Sequence, residues 1–186
     1  MTCDFTSSSI DRSNTTGTLS KTCWQDYLFS QRFQPTSTCL KKIDITLKAV
    51  AVENIDIVLT TNYSGNIPEY DGTGRGGPNG LKRVTIPIST VDTTPRTYTV
   101  TFDYSGLTTG NYYFFVIEPD YYDPIFPSGS NFPAFEVPYN TSGTTEYECT
   151  KFGTSVWDIN GATYKYVTYK SIDIVCVAPT CGFALA

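Results

Sequence analysis

Between residues 98 and 104 apolar and polar side chains alternate without a break. Tyr98, Val100, Phe102 and Tyr104 fall on one side, and Thr99, Thr101 and Asp103 on the other. A period of two is that of an extended strand with one buried face. Residues 112–117 are apolar at every position, as in a strand covered on both faces. Ser105-Gly106 and Gly110-Asn111 between them carry turn chemistry. The stretch 98–119 therefore predicts a core β-hairpin, a scaffold with function carried elsewhere.

The same period recurs on either side. Over 40–52, Ile43, Ile45 and Leu47 oppose Lys42, Asp44, Thr46 and Lys48, and after a Glu53-Asn54 turn Ile55, Ile57 and Leu59 alternate again. A first strand is predicted over 23–34, before the turn at Pro35. Others follow over 81–89, 134–137, 146–152, 155–158, 163–169 and 171–177. Helical periodicity is missing throughout. Roughly eight to ten short strands without a helix predict a sandwich or barrel. The fold class expected is all-β, an antiparallel β-sandwich with an extended N-terminal arm. The arm covers residues 1–22, the sandwich 23–178 and a short tail 179–186.

Two stretches interrupt the pattern. Residues 63–80 hold Gly72, Gly74, Gly76 and Gly77, but a phosphate-cradling loop needs a helix directly after it. A strand pattern follows here, so a flexible surface loop is the better reading. Residues 118–133 are aromatic and contain Pro119, Pro124, Pro127 and Pro133, which forbid central-strand pairing. Residues 1–20 are rich in Ser, Thr and Asn. Such a segment is ordered only when a neighbouring subunit, a disulfide through Cys3, or its own domain holds it.

Composition narrows the chemistry. The chain has no histidine, which excludes Ser-His-Asp, Cys-His and His-ligated metal sites. A net charge of -5 argues against nucleic acid, whose phosphates require a basic footprint. The first residues lack the basic segment and apolar run of a signal peptide, and nothing later approaches membrane-spanning length. Cytosolic synthesis is expected. Cys3, Cys23, Cys39, Cys149, Cys176 and Cys181 pull the other way, since an even count permits up to three disulfides in an oxidising setting. The pairing stays open, Cys176 and Cys181 being spaced to close a small loop. Buried reduced thiols are the alternative, and the absence of Cys-x-x-Cys speaks against a zinc ribbon. Cytosolic synthesis with extracellular endurance is a combination found in virion proteins.

Gln31-Arg32-Phe33, the strand 40–47, Gly65-Asn66-Ile67-Pro68, the strand 84–88, residues 98–102, Leu107-Thr108-Thr109-Gly110-Asn111-Tyr112 and Trp157 follow one another in an order that resembles a recurring jelly-roll module. The resemblance covers about residues 30–177 and departs from the module's closing pattern at residues 171–175. Modules of this kind occur in carbohydrate-binding domains and in decoration, fibre and tail proteins of phages. The resemblance implies a non-enzymatic virion structural protein whose partners are other virion proteins or copies of itself. The alternative is an extracellular carbohydrate-binding module or a secreted, disulfide-stabilised matrix protein.

Candidate contacts follow from chemistry. Sugar binding needs exposed aromatic faces beside carboxylate or amide groups, and Asp120, Tyr121, Tyr122 and Asp123 offer both. Trp157 and Asp158, with Tyr164, Tyr166 and Tyr169, offer a second platform. Tyr and Trp suit protein interfaces for the same amphipathic reason. Asp71, Asp120 and Asp123 are oxygen donors suited to calcium, but no spaced calcium loop is present; no metal site or cofactor is expected. Glu118, Glu136 and Glu146 are acids without a pattern that marks them as a hydrolytic pair. Asn14, Asn62 and Asn140 head glycosylation acceptor patterns, which matter only in a eukaryotic secretory setting.

Overall fold

The computed structural model describes residues 3, 5–14, 19–24, 27–50, 54–63, 67–69, 80–119, 133–140, 148–152, 158–160, 163–164 and 166–171. Within them the alternating stretches become strands β1 (Ser8–Asn14), β2 (Leu19–Trp24), β3 (Tyr27–Phe33), β4 (Cys39–Ala49), β5 (Ile55–Tyr63), β6 (Ile67–Pro68) and β7 (Gly80–Ile86). These are followed by β8 (Arg96–Ser105), β9 (Tyr113–Pro119), β10 (Pro133–Asn140), β11 (Glu148–Phe152), β12 (Asp158–Asn160), β13 (Thr163–Tyr164) and β14 (Tyr166–Ser171). The single helical turn among the described residues is a 3-10 turn at Ile88–Thr90. Every pairing among these strands is antiparallel.

Two sheets result. In the first, β4 is paired along one edge with β8 and along the other with β14, which carries β1 beyond it. Past the end of β14, β4 meets β10, which in turn holds β2 and β13. The second sheet runs β12-β11-β3-β9-β5, with β7 and the short β6 along the far edge of β5. One core lies between the sheets, where Ile43, Ile45, Leu47, Val100 and Phe102 of the first meet Phe29, Phe33, Ile57, Leu59, Phe115 and Ile117 of the second. The fold is an all-β antiparallel sandwich.

Burial follows the sequence period. On β8 Val100 and Phe102 are buried between exposed Thr99, Thr101 and Asp103. β9 is buried at all of its positions. Tyr113, Phe115 and Ile117 face the core, while Phe114 and Val116 join Leu28, Val58 and Ile67 in a second apolar cluster on the other side of the sheet. Full burial of an aromatic or aliphatic side chain stabilises by about 1.5–3 kcal/mol, so β9 anchors both clusters.

The predicted hairpin does not form. β8 pairs with β4, whereas β9 lies between β3 and β5 in the opposite sheet. Residues 106–112 form a crossover between the sheets. Gly106 N and Leu107 N both donate to the Thr38 carbonyl, at 3.1 and 3.0 Å, and Leu107 drops into the core. Gly106 at φ 113° and Gly110 at φ 86° take backbone conformations open to glycine. The turn chemistry reverses the chain but carries it to the other sheet, where β9 is paired on both edges, by β3 and β5.

The strand predicted over 81–89 stops at Ile86. Pro87 has no N–H to continue the ladder, and its carbonyl instead accepts Thr90 N at 2.9 Å. In the C-terminal third β11 falls within the strand predicted over 146–152, and β13 and β14 fall over that predicted for 163–169, with β14 running on to Ser171, while β12 covers Asp158–Asn160; residues 146–147 and 155–157 lie outside the described residues. The strand predicted over 171–177 lies, beyond Ser171, outside the described residues.

The polar N-terminal segment is held by two of the three means considered above. Cys3 and Cys39 form a disulfide with their Cα atoms 5.9 Å apart. β1 pairs with β14, and β2 with β10. Side-chain bonds add to this, since Asp11 accepts from both the backbone N–H and the hydroxyl of Thr36, and Arg12 Nε donates to the Gln34 carbonyl at 2.7 Å.

Candidate functional site

The antiparallel register sets Thr61 of β5 opposite Tyr113 of β9. Beyond this pair the strands part, and the crossover from β8 arrives. A cleft of about 440 Å³ opens there, lined by Thr61, Asn62, Gly110, Asn111, Tyr112 and Tyr113. That volume is within the range of roughly 300–1,000 Å³ usual for small-molecule sites. Its lining offers amide, hydroxyl and phenol groups, and no charged side chain is among the residues named.

The walls are braced from behind. The Arg32 guanidinium lies 4.0 Å from the centroid of the Tyr112 ring, a cation–π contact that fixes the ring plane. Gln34 Nε2 donates to the Gly110 carbonyl at 2.6 Å, and Asn111 N to the Thr108 carbonyl at 3.2 Å. Tyr113 Oη accepts the Thr108 N–H at 2.9 Å, leaving its own hydroxyl proton to donate. Thr61 Oγ1 donates to the Glu69 carboxylate. Through Arg12 and Gln34 the cleft rim is connected to β1.

A charged cluster occupies the outer side of the same sheet. Register places Asp56 opposite both Glu118 and Thr85, with Arg83 opposite Val58 two pairs further along and so on the same face. Arg83 Nη1 bonds the Asp56 carboxylate and lies 2.6 Å from Glu118 Oε1. The Thr85 hydroxyl donates to Asp56. The carboxylates of Asp56 and Glu118 are almost fully buried, at 6% and 2% exposure. One cation thus bridges two buried acids.

Of the candidate acids, Glu118 belongs to this cluster. Glu136 sits on β10 in the other sheet, where Lys48 Nζ is 3.1 Å away and Ser20 Oγ donates at 2.9 Å. Its neighbours Phe135 and Val137 point into the core, so Glu136 faces out on the opposite side of the sandwich from Glu118. These two carboxylates do not share a cleft. Desolvation pushes the Glu136 pKa up, but the hydrogen bonds from Ser20 and Lys48 and the Lys48 charge outweigh it and hold the group below its ordinary value.

Asp120, Tyr121, Tyr122, Asp123 and Trp157 lie outside the described residues, as do Asp71, Glu146, Cys176 and Cys181. Cys23 is fully buried in the core, and Cys149 stands opposite Ser30 in the β11–β3 pairing. The cleft residues escaped the sequence reading because Gly110-Asn111 read as a turn and Tyr112 as the first residue of a buried strand. The strand begins one residue later, and Tyr112 stays half-buried. A usable signal was the polar step Gly110-Asn111 directly before two tyrosines. Comparison of the chain with protein-family models and with curated proteins gives no match.

Proposed function

We propose that this chain is a non-enzymatic structural module of a particle surface, a virion decoration, fibre or tail-associated protein whose partners are other virion proteins or copies of itself. The observation that carries the reading is the Cys3–Cys39 bridge. A disulfide persists outside the reducing cytosol, and this one fastens the polar N-terminal segment to the sandwich that β1 also joins. The result is a module built to endure exposure. Within the two seven-stranded sheets, the runs β1-β14-β4-β8 and β3-β9-β5-β7 support reading the sandwich as a jelly roll, whose centre is two four-stranded sheets between which the chain repeatedly crosses.

Density-gradient fractionation of the medium or lysate in which the chain is naturally made tests the proposal. The chain should sediment with particles, and non-reducing peptide mapping of that fraction should recover the Cys3–Cys39 link. Recovery only in the light, soluble fraction, or with both thiols reduced, would sink it.

A second reading is favoured by the cleft. A pocket whose described lining is uncharged, with amides and tyrosines, suits a glycan contact, which makes surface attachment to sugars compatible with the structural role.

A further inference from the structure

We infer that the cleft between the ends of β5 and β9 is a binding site for a neutral saccharide. This rests on the glycan-contact reading above and places it at Asn62, Asn111 and Tyr112. A sugar presents adjacent hydroxyls, each both donor and acceptor, around a ring with apolar C–H faces. Its complement is a surface whose polar groups also serve in both senses, next to an aromatic ring.

Asn62 and Asn111 supply amides, each with donors and an acceptor. Tyr112 supplies a ring at the cleft wall. Among the described residues no acid or base lines the space, which favours an uncharged ligand.

Pre-organisation strengthens the case. Ordering flexible groups on binding weakens affinity, and groups already fixed avoid that loss. Here the Tyr112 ring is set by Arg32 at 4.0 Å. The Gly110 carbonyl is tied to Gln34 at 2.6 Å, and the backbone of Asn111 to Thr108. A Cβ built on Gly110 meets nothing within 4 Å. The loop is therefore held by bonds while the space beside it stays open, as a binding site requires.

The test is calorimetric titration of the full chain with neutral hexasaccharides of glucose, mannose and xylose, and with sialyllactose as an anionic contrast. It is repeated on Asn111→Ala, Tyr112→Ala and, as a control at an exposed position of β8 in the other sheet, Thr101→Ala. At least one neutral sugar should bind, with affinity about tenfold weaker in Asn111→Ala, the loss of one good hydrogen bond. Tyr112→Ala should weaken it at least as much, and Thr101→Ala should leave it unchanged. Because Tyr112→Ala also removes the Arg32 contact, the exposed Asn111→Ala is the variant that decides. Binding indifferent to Asn111 and Tyr112 overturns this site and leaves the glycan reading standing. Binding of sialyllactose alone overturns the neutral assignment. No binding by any sugar overturns site and reading together.

Discussion

Arg83 neutralises two acids that the fold has taken out of water. Its removal leaves Asp56 and Glu118 facing one another in a buried place without the cation between them. Breaking such an arrangement from one side costs about 3–5 kcal/mol. Arg83→Gln should therefore lower the urea midpoint strongly, while Arg96→Gln, at an exposed position, should stay within about 0.5 kcal/mol of the parent. None of this was legible beforehand. Asp56 and Glu118 occupy strand positions in the sequence, but their juxtaposition depends on which strands pair and in what register.

Glu136 gives a pH dependence of known sign. Its folded pKa is below the ordinary 4.5, so its contribution is present above that value and fades as pH falls through the folded pKa. Thermal melts of the parent and Glu136→Gln should differ at neutral pH and converge on acidification. A gap that widens in acid would contradict the Lys48 and Ser20 contacts.

At the scale of elements, the crossover from β8 to β9 decides the topology. Gly106 holds φ 113°, which an L side chain adopts only with strain. Gly106→Ala should cost about 1–3 kcal/mol without altering the far-ultraviolet spectrum. An equal stability for the variant would mean that the two bonds to the Thr38 carbonyl do not fix this backbone. The alternation of β4, β5 and β8 and the double burial of β9 were legible, because a period of two needs no knowledge of the partner. The missing hairpin was not. A reverse turn in sequence does not say whether the returning chain lies in the same sheet or crosses the core. β1 was equally hidden, since residues such as Ser8, Ser9 and Ser13 at a sheet edge impose no apolar rhythm. Its one large apolar side chain, Ile10, remains exposed.

For the molecule as a whole, the bridge spans a sequence separation of 36, and closing a loop of that length restricts the unfolded chain by about 4 kcal/mol in the chain-entropy model. Cys39→Ser, and the parent in reductant, should lose about 2–5 kcal/mol by chemical denaturation. Reductant should destabilise the parent far more than it does Cys39→Ser, whereas an undiminished stability of both the variant and the reduced parent would remove the bridge from the account. The sandwich class was legible from periodicity and the lack of helical spacing. The cleft was not, because it is made where two strands distant in sequence end beside a loop from a third.

The pairing of β1 with β14, Ser8 opposite Ser171, also sets a timetable. At synthesis rates of about 5–20 residues per second, the first strand emerges on the order of ten to thirty seconds before its partner. Cys39 follows far sooner. In a compartment that oxidises thiols during synthesis, the bridge can close while β14 does not yet exist, keeping the start of the chain beside the first residue of β4. The sheet then waits with a berth one strand wide between β1 and β4, and the last described strand of the chain is the one that fills it.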